Sequence, residues 1–208
     1  MSDIPSPPAA RFADQNRVAG YVMVIASVLT VVFIFHHPTG HGGGGLNMTS
    51  GVHAGMMLFL AAIFLGLCVH TARRGFSYLP SAALLAYAIS LIGHIGAAVI
   101  SGFLTARLAA NVDHVAARDL FVLTMVTNRV LAELAVAATS IAFILWAADG
   151  LASAPRRPVL AALALIAGAV PWIALMTGLI AMDIHGAPLV YTAQAVFTAT
   201  VGVQLVRT

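Results

Sequence analysis

The sequence contains no lysine, a single cysteine and few charged residues of either sign. Charged side chains make up 8% of the 208 residues, whereas 61% of the residues are hydrophobic. A soluble domain carries roughly 25% charged residues. Because too few charged groups are present to cover a soluble globule of this size, the composition predicts an all-α integral membrane protein whose surface lies mostly in the lipid bilayer.

These absences exclude several classes of protein and site. A retinal protein needs a lysine for its Schiff base, and this chain has none. Cys68 is the only cysteine, so neither an intramolecular disulfide nor a thiolate metal cluster can form. The ten arginines punctuate apolar runs instead of clustering in a basic stripe, which argues against a nucleic-acid partner.

Six apolar segments approach the ~20 residues that a bilayer-spanning helix needs. They run from 18 to 35, 53 to 72, 78 to 104, 128 to 148, 159 to 182 and 188 to 206. The pattern predicts residues 18–208 as a single domain, a bundle of six transmembrane helices. The polar, proline-rich residues 1–17 are expected to form a tail that is not a cleavable signal. Residues 108–127 are expected to form an outward extension of the fourth helix or an extra interfacial helix.

Orientation follows from the arginines. In a six-helix topology seven of them fall on the side of the chain termini: Arg11, Arg17, Arg73, Arg74, Arg156, Arg157 and Arg207. The positive-inside rule therefore places both termini in the cytoplasm, as in a multi-pass protein of a bacterial inner membrane. With that orientation every histidine except His70 falls in the outer half of the protein, whereas His70 is expected at the inner interface.

The stretch from His36 to His53, HHPTGHGGGGLNMTSGVH, holds four of the eight histidines and a run of four consecutive glycines, Gly42 to Gly45. Two further outer connections add histidines and carboxylates. Nitrogen and oxygen donors without thiolate suit zinc, copper(II) or iron(II). The sequence therefore predicts a transition-metal site on the outer face. The alternative is a set of solvated loop histidines. The predicted ligands are His36, His37, His41, His53, His94, Asp113, His114, Asp183 and His185.

His94 and Glu133 are ionisable side chains deep within the predicted spans, where such groups are functional candidates by default. Each lies 15 residues from the inner end of its helix, about 22 Å up from that boundary at 1.5 Å per residue. Tyr191 reaches a similar depth. The catalytic candidates are thus Glu133, His94, Arg129 and Tyr191. The alternative is that Arg129 and Glu133 form a self-neutralising pair one turn apart.

Four functions are consistent with these residues. The first is a membrane protein that binds or delivers a transition metal at its outer face. The second is a membrane enzyme that acts on a lipid or quinone through Glu133 and His94. The third is a protein with one b-type haem held by His94 and His53, which would need similar depths. The fourth is an accessory subunit of a larger membrane complex. The expected partners are the lipid bilayer and either a second copy of the chain or that larger complex.

Overall fold

The computed structural model describes residues 7–36, 47–109, 113, 115–153, 158–183 and 185–207, and those residues contain helices and no strand. Six helical segments are long and apolar enough to cross a membrane, which confirms the predicted six-helix bundle. The helices are α1 (Pro7–Phe35), α2 (Met48–Arg73), α3 (Tyr78–Val99), α4 (Thr105–Ala109), α5 (Val115–Ser153), α6 (Pro158–Met176) and α7 (Gly186–Arg207). A π-helical turn, Ile100–Leu104, joins α3 to α4 within the third span.

Several helix ends differ from the apolar segments: α1 already begins at Pro7, within the predicted tail, and the start of α2 and the end of α6 differ as well. Helix α2 begins at Met48 because Asn47 caps it: the Asn47 side chain accepts from the Ser50 backbone N–H, and the Ser50 hydroxyl accepts from the Asn47 N–H. Helix α6 was predicted to reach Met182 but ends at Met176. The reason is Gly178, whose φ of 70° is the left-handed conformation that commonly ends a helix.

The fourth span is one continuous helix. Helix α5 runs over 39 residues, longer than a bilayer requires. The region 108–127 is therefore mostly an extension of that span, and α4, which lies in the third span, is too short to be a separate interfacial helix. This extension lengthens one side of the bundle at the end opposite the chain termini.

The six spans form a ring in which each packs against two neighbours, in the order α1, α2, α3, α5, α6, α7. Helix α7 closes the ring against α1 through two glycines. A Cβ on Gly20 would lie 2.6 Å from the Gly202 carbonyl oxygen, and a Cβ on Gly202 would lie 2.9 Å from the Gly20 carbonyl oxygen. The backbones can approach this closely only because both residues lack a side chain.

An aromatic cluster fills the middle of the ring. Tyr87, Phe143, Trp146 and Phe197 are all at most 5% exposed, and the Phe143 and Phe197 rings lie 4.5 Å apart. The cluster separates two cavities. We call the end of the bundle that carries the chain termini the termini end, and the opposite end the distal end. The termini-side cavity and the distal cavity are named accordingly.

Candidate functional site

The distal cavity has a volume of about 920 Å³ and lies among α1, α2, α3, α5, α7 and the residues just before α7. Most of its lining is apolar. The polar lining residues are His53, His94, Ser101, Asn128, Arg129, Asp183, His185 and Tyr191. A large apolar space with a few convergent polar groups is the usual form of a site for a small organic molecule.

His94 and Tyr191, which were predicted to lie at a similar depth, are in contact at the end of this cavity that is nearer the aromatic cluster. The Tyr191 hydroxyl lies 2.8 Å from His94 Nδ1, and both side chains are less than a tenth exposed. When the hydroxyl donates to Nδ1, the ring proton of the neutral imidazole resides on Nε2. The pair can then donate a hydrogen bond from His94 to a neutral oxygen of a ligand.

His53 lies nearer the distal end, where it packs on the π-helical turn. A Cβ on Gly102 would lie 2.5 Å from His53 Cβ, so only glycine fits beside this imidazole. π-Helical turns of this kind are frequent at functional sites. His53 Nδ1 donates to the Thr49 carbonyl oxygen at 2.7 Å, which makes Nε2 the acceptor nitrogen of the neutral ring.

Glu133 does not join the His94–Tyr191 pair. Its carboxylate accepts a hydrogen bond from Arg129 Nε at 2.8 Å, so the alternative of a self-neutralising pair is confirmed. Arg129 lines the cavity, whereas Glu133 does not. Asp183 lies close enough to Arg129 to interact electrostatically. The charged side chains that line the cavity are therefore Arg129 and Asp183, and Arg129 is already paired with Glu133.

Asp183 also holds the start of α7. The backbone N–H groups of Gly186 and His185 donate to its Oδ1, each at 2.9 Å. These two hydrogen bonds, that from Gly186 first, lower the pKa of the carboxyl below its ordinary 3.8. The carboxylate therefore contributes stability that is present above pH 3.8 and is lost as the pH falls through the lower folded-state value.

We expect Asp183→Ala to lower the thermal stability of the detergent-purified protein at neutral pH. The difference from wild type should shrink when both are measured at about pH 3, because the carboxyl of the unfolded chain then binds a proton that folding must release. Asp119→Ala removes an exposed acid that lies on α5 and serves as the matched control. A stability difference for Asp183→Ala that stays constant down to about pH 3 would contradict this assignment.

Six of the nine predicted metal ligands lie within the described residues: His36, His53, His94, Asp113, Asp183 and His185. His37, His41 and His114 lie outside the described residues. His36 is exposed and its Nδ1 donates to the Val32 carbonyl oxygen, and Asp113 is exposed in a turn. Among the described residues no three histidine, cysteine, aspartate or glutamate side chains come together as a metal site. The metal site therefore stays a prediction.

The arrangement does not favour the b-type haem. Gly102, against which His53 packs, lies eight residues beyond His94, about 12 Å along the span at 1.5 Å per residue. Two axial ligands need similar depths on facing helices. His53 and His94 instead line the distal cavity at different depths.

Sequence reasoning missed two parts of the molecule. Asn128 lines the distal cavity, and its Oδ1 has no hydrogen-bond partner among the described residues. In the sequence Asn128 carried no signal beyond its polarity. His70 was expected at the interface, but it is buried and lines the termini-side cavity.

Comparison with known protein families, with curated proteins and with solved structures finds no match to this chain.

Proposed function

We propose that the protein binds a lipid-soluble quinone or quinol in the distal cavity. The observation that carries the proposal is the buried His94–Tyr191 pair at the inner end of a large, mostly apolar space. The apolar lining would bury the ring and the start of the isoprenoid tail, and burial of apolar surface would supply most of the affinity. His94 would donate a hydrogen bond to one ring oxygen.

The position of the charges favours a neutral head over a charged lipid headgroup. Arg129 is bound to Glu133 at 2.8 Å and lies close to Asp183, which is in the connection before α7. A phosphate brought to the level of His94 would lose water without meeting a guanidinium that lacks a carboxylate partner, which is costly in an apolar environment. A quinone carbonyl or a quinol hydroxyl requires one or two neutral hydrogen bonds at that level.

The mouth of the cavity fits entry from the membrane. Met125 and Val126 on the outer part of α5 and Leu189 at the start of α7 line the cavity and are 43% to 62% exposed. Counted back from the termini end of α5, these α5 residues lie beyond the ~20 residues that span the hydrocarbon core. A membrane-dissolved ligand could therefore enter at the distal interface, head first.

Binding is favoured over transport through the bundle. The aromatic cluster lies between the two cavities, and two pairs of buried hydroxyls near it are hydrogen-bonded to each other. Ser90 bonds Thr139 at 2.5 Å, and Ser27 bonds Thr198 at 2.8 Å. Such satisfied pairs stabilise helix contacts and do not form a polar path.

The test is a titration of the tag-free protein in lipid nanodiscs with a short-chain ubiquinone, followed by quenching of tryptophan fluorescence. We expect saturable quenching for the wild type. Tyr191→Phe keeps the ring but removes the hydroxyl that orients His94, so the dissociation constant should rise about tenfold, the equivalent of one hydrogen bond. Tyr78→Phe is the matched control, because Tyr78 is 86% exposed and lines neither cavity.

Quenching that rises linearly with quinone and never saturates would reject the proposal. Equal dissociation constants for Tyr191→Phe and Tyr78→Phe would reject the assigned role of the His94–Tyr191 pair.

A further inference from the structure

The distal cavity has a second polar level beyond the His94–Tyr191 pair. Ser101 lies on the π-helical turn, Asn128 lies on α5, and both residues line the cavity. His94 and Ser101 are seven residues apart, which is two helical turns along the same face of the third span. The cavity is therefore bordered by polar groups at two depths, with two alanines of α3 between them.

The polar atoms of this second level have no partner among the described residues. The Oδ1 of Asn128 is enclosed, whereas its Nδ2 is accessible and donates to no described atom. The Ser101 hydroxyl is likewise accessible and unbonded within the described part of the chain, although a helical serine often bonds the carbonyl oxygen one turn earlier. A donor from which a ligand excludes water costs free energy unless the ligand itself accepts from it. The Asn128 amide and the Ser101 hydroxyl are therefore available to a molecule in the cavity.

The packing of α3 against α5 sets the depth of this second level. A Cβ on Gly96 would lie 3.1 Å from Leu131 Cδ1, so these two residues stand at about the same level. Since the two helices are antiparallel, His94 lies two residues from that level toward the termini end, and Asn128 lies three residues from it toward the distal end. At 1.5 Å per residue, the levels of His94 and Asn128 are about 7.5 Å apart, and Ser101 lies about 10.5 Å beyond His94.

We infer that Asn128, supported by Ser101, binds the ring oxygen opposite to the one held by His94, so that the site recognises a ring with two oxygens in para positions. The inference rests on the proposed quinone site and narrows its ligand. A six-membered ring with opposite oxygens, and a hydrogen bond of about 2.9 Å at each oxygen, fits between the two levels. His94 and Asn128 both present N–H donors, which suits the two carbonyl oxygens of a para-quinone. A ligand with one oxygen would leave the Asn128 donor unpaired, and a site of this kind discriminates strongly against such an analogue.

The experiment compares two ligands of the protein in lipid nanodiscs. Decyl-para-benzoquinone is titrated by the quenching of tryptophan fluorescence, and meta-decylphenol, which lacks the second oxygen, is titrated by displacement of the quinone. The phenol can place its hydroxyl at His94 with its tail toward the mouth, but it has no oxygen for Asn128. Asn128→Leu keeps the size of the side chain and removes the donor. The dissociation constant of the quinone should therefore rise about tenfold, the equivalent of one hydrogen bond, and that of the phenol should stay unchanged.

Thr127→Val is the matched control, because Thr127 is the exposed neighbour of Asn128 and its hydroxyl bonds the Leu123 carbonyl oxygen of its own helix at 2.8 Å. If the wild type does not bind the quinone saturably, the proposed quinone site is rejected and this inference with it. If the wild type binds the quinone and Asn128→Leu binds it as tightly as Thr127→Val does, only the second oxygen contact is rejected. Equal weakening of quinone and phenol by Asn128→Leu also rejects that contact. Ser101→Ala, which should weaken quinone binding about threefold, provides the same test if Asn128→Leu does not fold.

Discussion

Gly20→Ala is expected to destabilise the bundle by about 3 kcal/mol, near the upper end of the usual cost of overpacking. The added methyl would lie 2.6 Å from the Gly202 carbonyl oxygen and 2.9 Å from the Val206 backbone nitrogen. These neighbours are backbone atoms, so no change of rotamer relieves the contact. Helices α1 and α7 would have to separate along the seam that closes the ring.

The measurement is the free energy of unfolding in a titration with sodium dodecyl sulfate, with wild type in parallel. Gly51→Ala is the matched control, since it makes the same change in helix α2 where a new Cβ meets nothing within 4 Å. There the gain in helix propensity, up to about 1 kcal/mol, should leave stability unchanged or slightly higher. If the two variants unfold alike, the close approach of α1 and α7 is not what closes the ring.

Asp149→Ala is expected to cost about 3 kcal/mol. The Asp149 side chain is 7% exposed and its carboxylate binds the Arg74 guanidinium, which is 20% exposed, at 2.8 Å. Removing one partner of a buried ion pair leaves the other charge without compensation, which costs about 3–5 kcal/mol. The partial exposure of Arg74 places the expected value at the lower end of that range, because solvent screens the charge that remains.

The double variant Arg74→Gln, Asp149→Ala separates an unpaired charge from a loss of packing. Removing both charges should recover part of the stability lost in Asp149→Ala, since no guanidinium is left without its carboxylate. Asp119→Ala removes an exposed acid from the same helix and should change the free energy of unfolding by less than about 0.5 kcal/mol. If the losses in free energy of unfolding from the two substitutions simply add up in the double variant, the ion pair contributes no coupling free energy.

The depths predicted from the sequence were informative for contacts that depend only on how far along its helix each residue lies. Counting 1.5 Å per residue placed His94 and Tyr191 at one level, and the two side chains are in hydrogen-bond contact. The same count placed Glu133 beside them, but depth does not specify the direction in which a side chain points. Glu133 instead forms an ion pair with Arg129, four residues earlier in the same helix. This contact is local and does not depend on tertiary packing.

Helix ends were predicted less well than helix existence. The end of α6 at Met176 depends on a left-handed glycine at 178, within a run that remains apolar up to Met182. Hydrophobicity measures the solvent that a segment prefers and contains no information on backbone dihedral angles. The nine residues between α6 and α7 therefore form a connection, and Asp183 within it lines the distal cavity.

The sequence by itself determined that the chain is a six-helix membrane protein, because scarce charge and long apolar runs leave no other way to satisfy the backbone in lipid. Only the tertiary structure decided which side chains meet. The close contacts of Gly20 with Gly202 and of Gly102 with His53 join residues far apart in the chain. They set the ring order and the two cavities, since helix packing depends on the shapes of facing surfaces that no single segment contains.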